Sequence, residues 1–156
     1  MLSDKVILYS SWIITLIGVF ILMPKDRVRE AMVVFMFKQL LTWIMGLFVV
    51  EFHLIEYPIR MLSRATTTSF SFEYIIYPAL SVIFVLRFPE NKPILYKIAW
   101  YLFFPSWMSA AEVLIEHNTN LIRYIHWDWY LTWLSLLVTF FFSRVYYLWF
   151  FRKRPF

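Results

Sequence analysis

The chain contains no cysteine, and only two of its 156 residues are glycine. Without cysteine there is no disulfide, no thiolate nucleophile and no sulfur-ligated metal centre. Gly18 and Gly46 stand far apart, so there is no phosphate-cradling glycine loop and no glycine pair for close helix crossing. Charge is scarce too: Asp, Glu, Lys and Arg make up 16% of the residues, against about 25% in an ordinary soluble domain. The chain is instead 62% hydrophobic and 22% aromatic. Such a composition is poorly suited to water and well suited to a bilayer, whose backbone-satisfying solution here is the helix.

Five apolar stretches cover residues 6–23, 31–50, 70–88, 94–115 and 129–151. A crossing needs roughly 20 apolar residues, and the connections left over are too short for a soluble module. The expected architecture is therefore a single integral membrane domain over residues 1–156, an all-α, compact five-helix transmembrane bundle. The first stretch carries no charge and stops at Pro24 and the run Lys25, Asp26, Arg27, Val28, Arg29, Glu30; with no small-x-small cleavage pattern after it, it reads as a span rather than a signal peptide. Pro78 and Pro105 each remove a helical hydrogen bond and predict bends in the third and fourth segments.

Five crossings put the termini on opposite sides, which makes the basic residues a test of orientation. One side collects Lys25, Arg27, Arg29, Lys38, Arg87, Lys92, Lys97, Arg144, Arg152, Lys153 and Arg154; the other has only Lys5, Arg60, Arg64 and Arg123. The positive-inside rule then predicts a cytoplasmic C-terminus and an outer N-terminus. The same distribution accounts for the net charge of +5 without nucleic acid, which is not an expected partner. Trp127, Trp129 and Trp149 lie near the ends of the last segment, where an apolar ring with a polar N–H suits the headgroup boundary.

The acidic and histidine residues gather near the opposite, outer ends of these segments. Glu51, His53, Glu56 and Arg60 follow the second; Glu73 opens the third; Glu112, Glu116 and His117 close the fourth; His126 and Asp128 precede the fifth. Together they form the candidate polar or ligand site. His53 and Glu56 share a helix face, as do Glu112 and Glu116, whose like charges call for a proton, a counter-charge or a bound cation. His53, Glu56, Glu112, Glu116 and His117 also supply oxygen and nitrogen donors for a metal. The pattern is a weak one, because neither the Glu-x-x-His pairs of a di-metal bundle nor a His-Glu-x-x-His motif is present. Hydrated surface groups and helix-fastening salt bridges are the plainer reading.

Lys38 and Arg144 sit deeper, roughly 10 Å from their span ends. They are expected to extend toward inner headgroups, with contact to anionic lipid or a partner chain as the functional reading. In the Ser- and Thr-rich connection, Ser69 or Ser71 is the expected helix cap, with Glu73 near the positive end of the helix. The segment 117–126 is expected to lie partly in the membrane interface through Leu121, Ile122, Tyr124 and Ile125.

The stretches Glu56-Tyr57-Pro58-Ile59-Arg60, Tyr77-Pro78, Glu112 with Glu116, and His126-Trp127-Asp128-Trp129-Tyr130 carry a likeness over nearly the whole chain. On them it resembles the small, aromatic-rich, multi-spanning membrane proteins of unassigned function from endospore-forming Gram-positive bacteria. That resemblance implies a bacterial plasma or spore membrane and supplies no reaction and no catalytic residue. The first functional expectation is a non-enzymatic component that stabilises or organises a membrane assembly, with lipids and a membrane-protein partner or a second copy as partners and no cofactor. The alternative is a small transporter, channel subunit or receptor-like protein whose Glu/His/Asp cluster binds a cation, proton or polar ligand. No catalytic motif favours an enzyme.

Overall fold

Apolar helices dictate the architecture of the computed structural model, which describes residues 2–152. Lys153 and Arg154 of the basic tail lie outside the described residues. Helices α1 (Leu2–Leu22), α2 (Val28–Glu51), α4 (Ile94–Asn118) and α5 (Trp129–Phe150) surround a shorter α3 (Tyr77–Leu86). Among the described residues, four helical stretches are long and apolar enough to cross a membrane: Asp4–Leu22, Lys25–Glu51, Ile94–Asn118 and Trp129–Phe150. This is a multi-pass membrane protein.

The third apolar stretch takes another form. It consists of a π-helical turn over Phe70–Ile76 and then α3, whose ten residues rise about 15 Å. Eight of those ten are buried, which is the condition of a helix that is apolar on every side. It forms the axis of the bundle, packed by α1, α2 and α5. From α4, the Trp100 indole N–H donates to the Phe84 carbonyl at 3.1 Å. Phe84 is the hub of the core, 4.6 Å from the Phe140 ring and 5.3 Å from that of Phe104.

The bend expected at Pro78 appears as this π-helical turn. Pro78 has no N–H to offer the Tyr74 carbonyl, and the Tyr77 N–H reaches back to Phe72 instead of Glu73. Two carbonyls are thus left over in a place without bulk water. Helix α2 supplies their donors: the Gln39 amide to Tyr74 at 2.9 Å and the Thr42 hydroxyl to Glu73 at 2.5 Å. Because losing a buried donor strands its acceptor, Thr42→Val is expected to cost about 1–2 kcal/mol in denaturant unfolding in detergent; an unchanged midpoint would mean that water replaces the hydroxyl.

At the basic end, the last turn of α3 is capped by cations, as its dipole favours. Arg27 donates to the Leu86 carbonyl at 3.1 Å and Arg144 to that of Val85 at 3.3 Å. At the other end, two-residue strands β1 (Ile55–Glu56) and β2 (Arg123–Tyr124) pair antiparallel. This clip ties the α2–α3 connection to the α4–α5 connection and closes the bundle. It also corrects the interfacial expectation for Leu121 and Ile122, which are 1% and 2% exposed and pack under the clip with Ile55, Tyr57 and Phe72.

Candidate functional site

Beneath the clip, the elements leave a chamber of about 70 Å³ whose lining mixes polar groups with Met45, Val49, Ile55 and Leu136. Its walls come from α2 (Thr42, Gly46), the π-helical turn (Glu73), α3 (Tyr77), α4 (Glu112) and α5 (Thr132, Thr139). Helical spacing puts Lys38, Thr42 and Gly46, four residues apart, on one buried face of α2, and of these Thr42 and Gly46 line the chamber. On helix α5 the buried hydroxyls Thr132, Thr139 and Ser143 follow at seven and four residues, again on one face, and the first two line the chamber.

Glu73 is 3% exposed. One carboxylate oxygen accepts the Tyr57 hydroxyl at 2.9 Å, and the other, Oε2, is buried without a hydrogen-bond partner. Gly46 is what lets α2 pass beside it, because a Cβ at that position would overlap the Glu73 carboxylate. The Ser69 side chain caps the π-helical turn by accepting the Phe72 N–H at 3.4 Å, one of the two caps expected.

Glu112, 7% exposed, is held differently. It accepts hydroxyl protons from Tyr77, from Tyr124 at 2.7 Å and from Thr132 at 2.8 Å. The Trp127 indole N–H donates to Thr132 in turn at 2.8 Å. Burial and the neighbouring carboxylates push the Tyr57 hydroxyl well above the usual tyrosine range, and burial with Glu112 does the same for Tyr124. Both phenols therefore stay protonated as donors. Two carboxylates thus face one small chamber, Glu112 fully hydrogen-bonded and Glu73 with an open oxygen.

Lys38 and Arg144 correct the expectation of inner-side lipid or partner contact. Lys38 is fully buried near the middle of α2; its amino group donates to the Thr139 hydroxyl at 2.5 Å and lies 4.2 Å from the Phe140 ring centroid. Thr139 also lines the chamber, so the lysine sits directly behind the chamber wall. Arg144 is turned inward as well: besides capping α3 it binds Glu90 at 3.0 Å and lies 4.2 Å from the Phe88 ring centroid. The cause is shared. Each side chain finds an internal carbonyl, hydroxyl or aromatic face within reach, and the inward stems are enclosed by the core.

Of the ten residues expected at the polar site, only Glu73 and Glu112 line the chamber. Glu56 is exposed and reaches Arg123 across the clip at 3.7 Å. Arg60 donates to the carbonyls of Tyr57 and Thr66, each at 2.8 Å, and so braces its own loop. Glu116 and His117 approach each other at 3.4 Å. His53 is exposed at a left-handed backbone position, φ 52°, where it ends α2 and lets the Leu54 N–H return to Val49. His126 approaches the His53 carbonyl at 3.4 Å, and Glu51 and Asp128 are exposed. The metal set His53, Glu56, Glu112, Glu116 and His117 is not assembled: among the described residues no three His, Asp or Glu side chains come together to hold an ion.

Tyr57, Tyr77, Thr42, Thr132 and Gly46 also line the chamber, and Tyr124 reaches it through Glu112. Tyr57 and Tyr77 stood in the stretches that carry the resemblance and Tyr124 among the expected interfacial residues, but none of the six was named as a site residue. Their one sequence signal is the four-residue spacing of Lys38, Thr42 and Gly46, and the recurrence of hydroxyls along α5. No family model, curated protein or solved structure matches this chain.

Proposed function

We propose that the protein is a small transport or channel-like membrane component whose internal chamber takes up and releases a proton, with Glu73 as the exchanging group. The observation that carries this reading is the buried Glu73 Oε2 without a partner, facing a chamber that also contains Glu112. Ionisable groups inside a membrane protein are costly and mark ion or proton pathways. The chamber has room for a few waters and for no sizeable solute, which favours a proton over an organic ligand at Glu73 itself. Lys38 behind Thr139 supplies the next polar group toward the basic end.

In this reading the third segment also crosses and brings the crossings to five, the N-terminus lies outside and the C-terminus is cytoplasmic, in a bacterial plasma or spore membrane. The basic residues at one end support that orientation. An assembly role is the second reading, supported by α1, which packs chiefly on α3 and the π-helical turn and leaves Ile14 and Phe20 each 70% exposed.

The test is proton flux into liposomes containing the purified protein and an internal pH dye, driven by a potassium-diffusion potential. Flux above that of empty liposomes is expected, and Glu73→Gln is expected to lower it by about tenfold or more at equal incorporation, in line with the loss of a positioned proton-transfer group. Protein-containing liposomes no leakier than empty ones would overturn the reading.

A further inference from the structure

A second cavity meets the chamber from the side. Helices α1 and α4 do not close against each other, and between them lies a groove of about 490 Å³ floored by α3 and the π-helical turn. Gly18, Phe72, Phe104 and Trp107 are part of its lining, and at its inner end it reaches Tyr77 and Glu112, the two residues it shares with the chamber. The volume is that of a small-molecule site, and the groove opens between two helices that are each long and apolar enough to cross a membrane.

The electrostatics select the occupant. No lysine or arginine lines the groove, while Glu112 carries hydrogen bonds from neutral hydroxyls and has no salt bridge among the described residues. A carboxylate without a counter-cation at the end of an aromatic-walled apolar groove is complementary to one positive charge on an apolar body, since both the carboxylate and the ring faces attract it. A lipid chain alone satisfies the apolar wall and leaves the carboxylate with its hydrogen bonds but without a counter-charge.

We propose that the groove between α1 and α4 binds a lipophilic organic cation, a protonated amine or onium ion that enters sideways from the bilayer. Its charge lies beside Glu112 and Tyr77, and its apolar body packs on Phe104 and Trp107. The inference shares Glu112 with the proposed proton function and names a ligand for that carboxylate, but it is read by binding and needs no proton flux.

The experiment is equilibrium binding of radiolabelled tetraphenylphosphonium to the full chain in lipid nanodiscs. Saturable binding is expected, with Glu112→Gln weakening it about tenfold or more and an uncharged tetraphenyl analogue failing to compete. Gly18→Trp provides the steric control: a Cβ at Gly18 meets nothing within 4 Å, so the indole has space in the groove, and the variant is expected to block binding while keeping the wild-type melting temperature. Absence of saturable binding, equal competition by the neutral analogue, or binding indifferent to Gly18→Trp would each overturn the proposal. Binding without proton flux would sink the proposed function and leave this inference standing; flux without binding would do the reverse.

Discussion

Gly46→Ala is expected to destabilise the protein by about 1–3 kcal/mol, although alanine is the better helix former by about 1 kcal/mol. The sign is decided by the Glu73 carboxylate, which occupies the place a Cβ would take. That carboxyl group is held by the Tyr57 hydroxyl and enclosed by α2 and α3, so yielding to the new methyl means breaking the hydrogen bond or displacing the side chain into the chamber. In a Glu73→Ala background the obstacle is gone, and the same Gly46→Ala change is expected to be neutral or to stabilise by up to about 1 kcal/mol. Denaturant unfolding in detergent, followed by tryptophan fluorescence, gives both values. An equal loss in the two backgrounds would show that α2 meets something other than Glu73 at this position.

The second large effect is expected at Glu112. Glu112→Ala removes the acceptor of three hydroxyls, those of Tyr77, Tyr124 and Thr132. A stranded buried donor costs about 1–3 kcal/mol, but hydroxyls rotate and the chamber admits water, so the loss is expected at about 3–5 kcal/mol and not at three full penalties. Glu112→Gln keeps an acceptor oxygen and the side-chain shape, and about 1–2 kcal/mol is expected for it. Tyr77→Phe, which removes one donor and leaves the other two in place, is expected to fall in the same range as the amide. A loss below about 1 kcal/mol for Glu112→Ala would place this carboxylate among hydrated surface groups, whose interactions are worth that little.

These expectations rest on contacts between helices, and that is where the sequence and the folded molecule part. Residues 6–23, 31–50, 94–115 and 129–151 were legible as membrane-length helices because length and apolarity suffice for that inference. The stretch 70–88 was legible as apolar but not as the buried axis of the bundle, since lipid and protein interior are equally apolar and hydropathy does not tell them apart. Pro78 announced an irregularity. Its form, a π-helical turn whose stranded carbonyls are taken by Gln39 and Thr42, depended on which face of α2 lies alongside.

The same division holds for the site. Glu73 and Glu112 were named from the sequence because carboxylates are conspicuous in apolar surroundings, yet eight other polar residues were named beside them on equal grounds. Position along a segment says how deep a side chain starts, not whether it turns toward lipid, water or a neighbouring helix. For Lys38 that difference decides everything: the depth suggested a headgroup, and the packing aims it at Thr139 and Phe140. The sequence by itself determined a helical, multi-pass membrane protein without thiol chemistry or nucleotide-binding loops, because composition and run length are local properties. Only the tertiary structure decided that two carboxylates meet in one chamber with three tyrosines around them, because hydrogen bonds between Tyr57 and Glu73, or Tyr124 and Glu112, exist only once the clip and the helix packing bring distant segments together.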